Sequence, residues 1–196
     1  MNPFDDAGIF LVDTLFGLYI LAVMLRFFLQ YFRADPYNPV SQFLLKITHP
    51  VLRPMRRAIP AYRHIDTASV VLMFSLQFIA LWLKFVIKAV PLTLVPVLIL
   101  TVAELLEAVL NLFFFAILIR IVLSWLGPQG HNPVLSILDA ITNPLLLPAR
   151  RMLPFLSVSG FDLSPMAVLI VLQLAKFLVI LQDHVDSKLE VCEIMY

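Results

Sequence analysis

The sequence predicts an all-α integral membrane protein built from two tandem parallel repeats, with four spans in total. Three observations lead there: an apolar content too high for a soluble core, several apolar runs of bilayer length, and a polar, proline-punctuated segment that occurs twice. Of 196 residues, 61% are hydrophobic and only 14% charged, with a mean hydropathy of +0.95. A single soluble core of this size cannot hide that much apolar surface, so lipid must act as solvent.

A helix rises 1.5 Å per residue and needs about 20 apolar residues to cross the hydrocarbon layer. The first such run is Gly8 to Phe32 and the second Ala68 to Val90. The third, over 97–126, ends in LNLFFFAILIRIVLSWL and places Trp125 where amphipathic rings favour the interface. Pro165 to Gln182 is a shorter fourth. Helices satisfy their own backbone groups, which the absence of water in the bilayer requires. The stretch Leu92 to Leu106 is apolar but too short to cross alone and contains Pro96 and Glu104. It reads as an outer extension of the third helix, tilted or interfacial, with a separate crossing as the alternative. Asp5 and Asp6 stand where a secretory signal would carry Lys or Arg, so the first run is expected to be retained as a helix.

Loop charge sets the expected orientation. Arg33, Lys46, Arg53, Arg56, Arg57 and Arg63 follow the first run, and Arg150 and Arg151 follow the third. The positive-inside rule places both segments in the cytoplasm and both termini outside; Lys84 and Lys88 on the outer side count against it but are outnumbered. The net charge of +1 supports neither a nucleic-acid partner nor a cationic substrate.

Sliding the chain along itself by 94 residues lays Arg26 to Pro60 over Arg120 to Pro154 without a gap. The matches are polar or conformationally special: Arg26 with Arg120, Asn38-Pro39 with Asn132-Pro133, Thr48 with Thr142, Pro50 with Pro144. Pro54 with Pro148, Arg56-Arg57 with Arg150-Arg151, and Pro60 with Pro154 complete the set. After a two-residue insertion Asp66 lies over Asp162 and Gln77 over Gln173, while upstream Asp13 lies over Glu107. Each copy holds two crossings, so both enter the membrane in the same sense, as parallel repeats do. The first unit is expected over 8–90 and the second over 91–182, followed by an acidic tail over 183–196.

Within each copy, Asn38 and Asn132 can cap a helix whose first residue is Pro39 or Pro133. A short interfacial helix follows, with Val40, Phe43, Leu44 and Ile47, or Val134, Ile137, Leu138 and Ile141, as its apolar stripe. Thr48-x-Pro50 and Thr142-x-Pro144 are expected to end it, and the later prolines to forbid a long helix before Asp66 and Asp162.

The doubled pattern NPxxxxLxxxTxPxLxPxRRxxP, after an Arg-ending helix and before an Asp, resembles the YggT family, also called YlmG, of bacterial and plastid membrane proteins. The second copy has the family-like DLSP at Asp162 to Pro165, whereas the first reads DTAS at Asp66 to Ser69. The resemblance implies an integral protein of the bacterial inner membrane, which with the charge-based orientation puts both termini in the periplasm; its relatives are linked to cell division, nucleoid or thylakoid organisation, assembly of cytochrome cofactors, and osmotic or potassium tolerance.

Candidate sites follow from the repeat. Arg26 and Arg120 sit inside apolar runs, where a guanidinium must snorkel to lipid phosphate, find an acid, or serve transport. Pairing across each unit is expected, buried for Arg120 with Asp162 and looser for Arg26 with Asp66. Arg56-Arg57 and Arg150-Arg151 fit anionic head groups or an acidic partner, or merely set topology. Asn38, Thr48, Asn132 and Thr142 fit structural caps or a partner surface. No catalytic pattern is present: His49, His64, His131 and His184 lie at no metal-like spacing, and Cys192 has no partner for a disulfide. The expected function is therefore a non-enzymatic scaffold or assembly factor without a cofactor, contacting membrane lipid and a protein partner, with self-association open. The alternative is a small transporter or channel component using Arg26, Arg120, Asp13 and Glu107.

Overall fold

The computed structural model describes residues 3–60, 65–90, 94–125, 132–152 and 164–194. Among them the chain forms six helices: α1 (Pro3–Tyr31), α2 (Pro39–Ala58), α3 (Thr67–Ile87), α4 (Leu94–Trp125), α5 (Pro133–Met152) and α6 (Ser164–Ile194). The helices α1, α3 and α4 are long and apolar enough to cross a membrane, and the apolar part of α6, Ser164–Ile180, is shorter. The chain divides into two compact units, one of Met1–Tyr31 with Pro36–Leu105 and the other of Phe32–Asp35 with Leu106–Tyr196.

In the first unit α1 packs on α2 and α3, and α2 also touches α3. The buried face of α1 is Val12, Ile20, Val23, Met24 and Leu29, while Phe10, Leu11, Leu15 and Leu18 are exposed along the other side. An apolar outer face is stable only in lipid. Small residues on α3, Ala68, Ser69 and Ala80, are buried and let the helix backbones approach, as membrane packing requires. Gly8 lies beside Ile87, so the start of α1 meets the end of α3.

A Schellman cap closes α3. Ala89 takes φ 52°, its N–H bonds to Val86 O, and the Val90 N–H reaches Phe85 O. The α4 helix is continuous over 32 residues, about 48 Å at 1.5 Å per residue, so Leu94–Leu106 does extend the third helix. In α6 the helix runs through the predicted acidic tail to Ile194, because no Gly or Pro interrupts the sequence after Gln182.

The largest departure from expectation is the length of α2 and α5. Each is a 20-residue helix that passes through two prolines, Pro50 and Pro54 or Pro144 and Pro148, instead of ending before the first. The prolines are four residues apart, so both lie on one face, and in each helix that face is exposed. The carbonyls that lose their donors, at Lys46 and Pro50 and at Ala140 and Pro144, therefore turn outward rather than into the protein. The expected apolar stripe also divides. Leu44 is buried, but Phe43 is 61% and Ile47 36% exposed, and the inward stripe of α2 is Ser41, Leu44, Thr48 and Leu52.

Candidate functional site: a repeated arginine anchor

The N-terminus of each proline-containing helix is built as its sequence requires. The Asn38 side-chain oxygen accepts from the Val40 N–H at 2.9 Å, and Asn132 accepts from Val134 at 3.0 Å. Pro39 and Pro133 occupy the first helical position, where no N–H is needed.

Thr48 and Thr142 are not caps but lie in mid-helix. Each hydroxyl donates to the carbonyl four residues back, Thr48 to Leu44 at 2.6 Å and Thr142 to Leu138 at 2.7 Å. That leaves the oxygen lone pairs to accept from the arginine of the leading helix. Arg26 Nη1 donates to Thr48 at 2.6 Å, and Arg120 Nη1 to Thr142 at 3.0 Å. Both threonines are fully buried. Each copy thus ties its leading helix to its proline-containing helix by the same chain of guanidinium, hydroxyl and carbonyl, at the same separation of 22 residues.

The copies then diverge. Arg120 Nε pairs with Asp139 at 2.8 Å. The 94-residue offset puts Leu45 where Asp139 stands, and the Arg26 Nε is buried with no hydrogen-bond partner among the described residues. Arg26 is only 4% exposed. The expected Arg26–Asp66 pair is replaced: Asp66, itself 3% exposed, pairs with Arg56 and accepts from the Ser69 hydroxyl at 2.6 Å. Arg56 reaches the aspartate because α2 continues past its prolines, which brings its last turn to the start of α3; it also donates to Gln30 of α1 at 3.1 Å. Burial pushes the Asp66 carboxyl up, but the hydrogen bonds from Arg56 and Ser69 and the charges of Arg56 and Arg26 outweigh it. The group is held below the usual carboxylate range. Asp162 and Pro154, and with them the expected Arg120–Asp162 pair, lie outside the described residues.

A second polar cluster closes the opposite end of each unit. Lys84 of α3 bridges Asp13 of α1 at 3.1 Å and Glu104 of α4 at 3.4 Å, and Gln77 also donates to Glu104. In the second unit Lys176 of α6 pairs with Glu107 at 3.1 Å and donates to Asn111 at 3.0 Å. Glu107 is the repeat partner of Asp13, but Lys84 falls over Ile180, one turn beyond Lys176 on the same helix face. Sequence matching therefore finds the acids and misses the lysines. It also misses Asp139, which has no counterpart to match. Among the described residues no group of three or more His, Cys, Asp or Glu side chains could hold a metal ion.

The comparisons agree with this doubled design. The profile of the CCB3/YggT family matches residues 6–87 and again 99–182. The Pseudomonas aeruginosa "Uncharacterized protein PA0392" is 40% identical over 182 residues, 92% of this chain and 91% of that protein. The Vibrio alginolyticus "Uncharacterized protein in proC 3'region" is 41% identical over 86% of this chain and 91% of its own length. The "Uncharacterized protein YggT" of Escherichia coli K12 is 37% identical, covering 83% of this chain and 84% of the relative. No solved structure gives a significant match. Two family segments in one chain, each centred on an Arg–Thr anchored helix, place this membrane protein in the CCB3/YggT family.

Proposed function

We propose that the protein is a non-enzymatic inner-membrane scaffold or assembly factor that crosses the bilayer four times, with both termini periplasmic. In this reading α2 and α5 lie at the cytoplasmic surface and dock a protein partner together with anionic lipid. The observation that carries it is the repeated anchor. Each unit ties one amphipathic helix to its leading helix by an Arg–Thr bond and leaves the arginine pair of that helix's last turn exposed. Binding surfaces held on rigid elements keep their geometry at low entropic cost. The charges that a permeation path would use are spent on contacts inside each unit: Arg26 on Thr48, Arg120 on Asp139, Asp13 on Lys84 and Glu107 on Lys176.

The test is site-specific photocrosslinking in native membranes from Gln42 of α2 and Ser136 of α5, with Leu15 of α1 as the lipid-facing control. Discrete protein adducts from the first two and none from Leu15 are expected. Lipid adducts alone at all three would remove the scaffold reading. Orientation is tested by thiol labelling of Asp5→Cys and Gln42→Cys in a Cys192→Ser background; periplasmic labelling of Gln42→Cys would reverse it. A transport reading draws on the Asp13, Lys84 and Glu104 cluster, since ionisable groups on spanning helices often line ion paths. Flux in proteoliposomes that Lys84→Gln abolishes would favour it.

A further inference from the structure

The helices α2 and α5 share an anchor but not an outer face. Residues of a helix turn about 100° per step, so Lys46, His49 and Arg53 share one side of α2. All three are exposed, and with Leu45 and Pro50 they line an open groove of about 680 Å³. None is in an ion pair among the described residues. The 94-residue offset places Ala140, Asn143 and Leu147 at the same positions of α5, which carry no positive charge. The adjoining apolar stripes differ too. Phe43 and Ile47 of α2 are exposed, whereas their counterparts Ile137 and Ile141 of α5 are 6% and 1% exposed.

A basic groove beside an exposed apolar stripe on one helix asks for a ligand that is anionic on one side and apolar on the other. A phospholipid meets both demands, its phosphate against the cations and its acyl chains against Phe43 and Ile47. A nucleic acid would satisfy the cations and leave the stripe in water. We propose that Lys46, His49 and Arg53 form a binding site for the phosphate of an anionic phospholipid, present in the first copy only. The two permanent cations and the imidazole N–H converge on phosphate oxygens, while Arg56 is withheld because it serves Asp66. The inference rests on the reading that α2 lies at the cytoplasmic membrane surface.

Native mass spectrometry of the full chain in detergent, titrated with phosphatidylglycerol or phosphatidylcholine, tests it. Wild type is expected to prefer phosphatidylglycerol, and Lys46→Gln with His49→Gln and Arg53→Gln to weaken that binding about thirty-fold, roughly fivefold for each permanent cation. Grafting Ala140→Lys, Asn143→His and Leu147→Arg into α5 is expected to add a second tight lipid. Equal binding by wild type and the triple variant, or a graft that keeps its thermal midpoint and gains no lipid, overturns the site. Displacement of the lipid by millimolar inorganic phosphate would reassign the groove to the free anion and overturn the lipid assignment. A spin label at Phe43→Cys in phosphatidylglycerol-containing nanodiscs separates the two levels. A label in bulk water would fail the surface reading itself, and a label at the head-group boundary without lipid preference would fail this inference alone.

Discussion

Arg26 and Arg120 occupy the same place in two copies of one design, yet they are satisfied differently. Both donate to a threonine on the next helix, but Arg120 also has Asp139, while among the described residues the buried Arg26 Nε has no acceptor. The buried carboxylate of the first copy, Asp66, is paired with Arg56 at the other end of α2 and not with Arg26. The difference shows that a repeat can preserve a hydrogen bond without preserving the ion pair beside it. The Arg–Thr bond is common to both because it sets how the two helices pack. The acid differs because the position of Asp139 in the second copy is Leu45 in the first.

The comparison breaks most sharply at Arg56. Removing it leaves a carboxylate that is 3% exposed without its cation, so Arg56→Ala is expected to cost about 3 kcal/mol in detergent unfolding. A double-mutant cycle with Asp66→Ala should recover most of that as coupling, and strict additivity would remove the pair from the account. Because Asp66 has a depressed folded pKa, its contribution is present above the unfolded value of about 3.9 and is lost as pH falls through the folded one. Wild-type stability should fall in that acid range, and Asp66→Asn should flatten the fall.

Next in size is the threonine. Thr48→Val removes an acceptor from a guanidinium already short of one and is expected to cost about 2 kcal/mol, while Thr142→Val, with Asp139 still in place, should cost about 1 kcal/mol. Equal losses in the same unfolding assay would show that Asp139 gives Arg120 no support. A smaller exchange sharpens the point. Leu45→Asp, which gives the first copy the acid of the second, should restore about 1 kcal/mol to Thr48→Val, and Asp139→Leu should take about as much from the second copy. The smallest effect lies at the end of α3, where Ala89 holds φ 52° in its Schellman cap. Ala89→Gly relieves that strain and should raise stability by about 0.5 kcal/mol, visible as a small rise in thermal midpoint.

Much of this fold is legible along the chain because membrane helices obey local rules. Run length fixed α1, α3 and α4, and the 94-residue self-match identified the helices that α2 and α5 became. Caps were legible too, since Asn38 and Asn132 act on amides two residues away. The proline rule failed for a three-dimensional reason. A proline stops a helix when its freed carbonyl is buried, and whether Pro50 and Pro144 face inward is decided by packing, not by the residue itself. That one decision carried others with it. Because α2 runs on to Ala58, Arg56 rather than Arg26 meets Asp66, and Thr48 becomes an acceptor in mid-helix rather than a terminus. Sequence by itself determined the membrane class, the doubling and the residues that had to find polar partners. Which partner each one found, Thr48 for Arg26 and Asp139 for Arg120, was settled only when the helices packed, because such contacts depend on distance in space rather than along the chain.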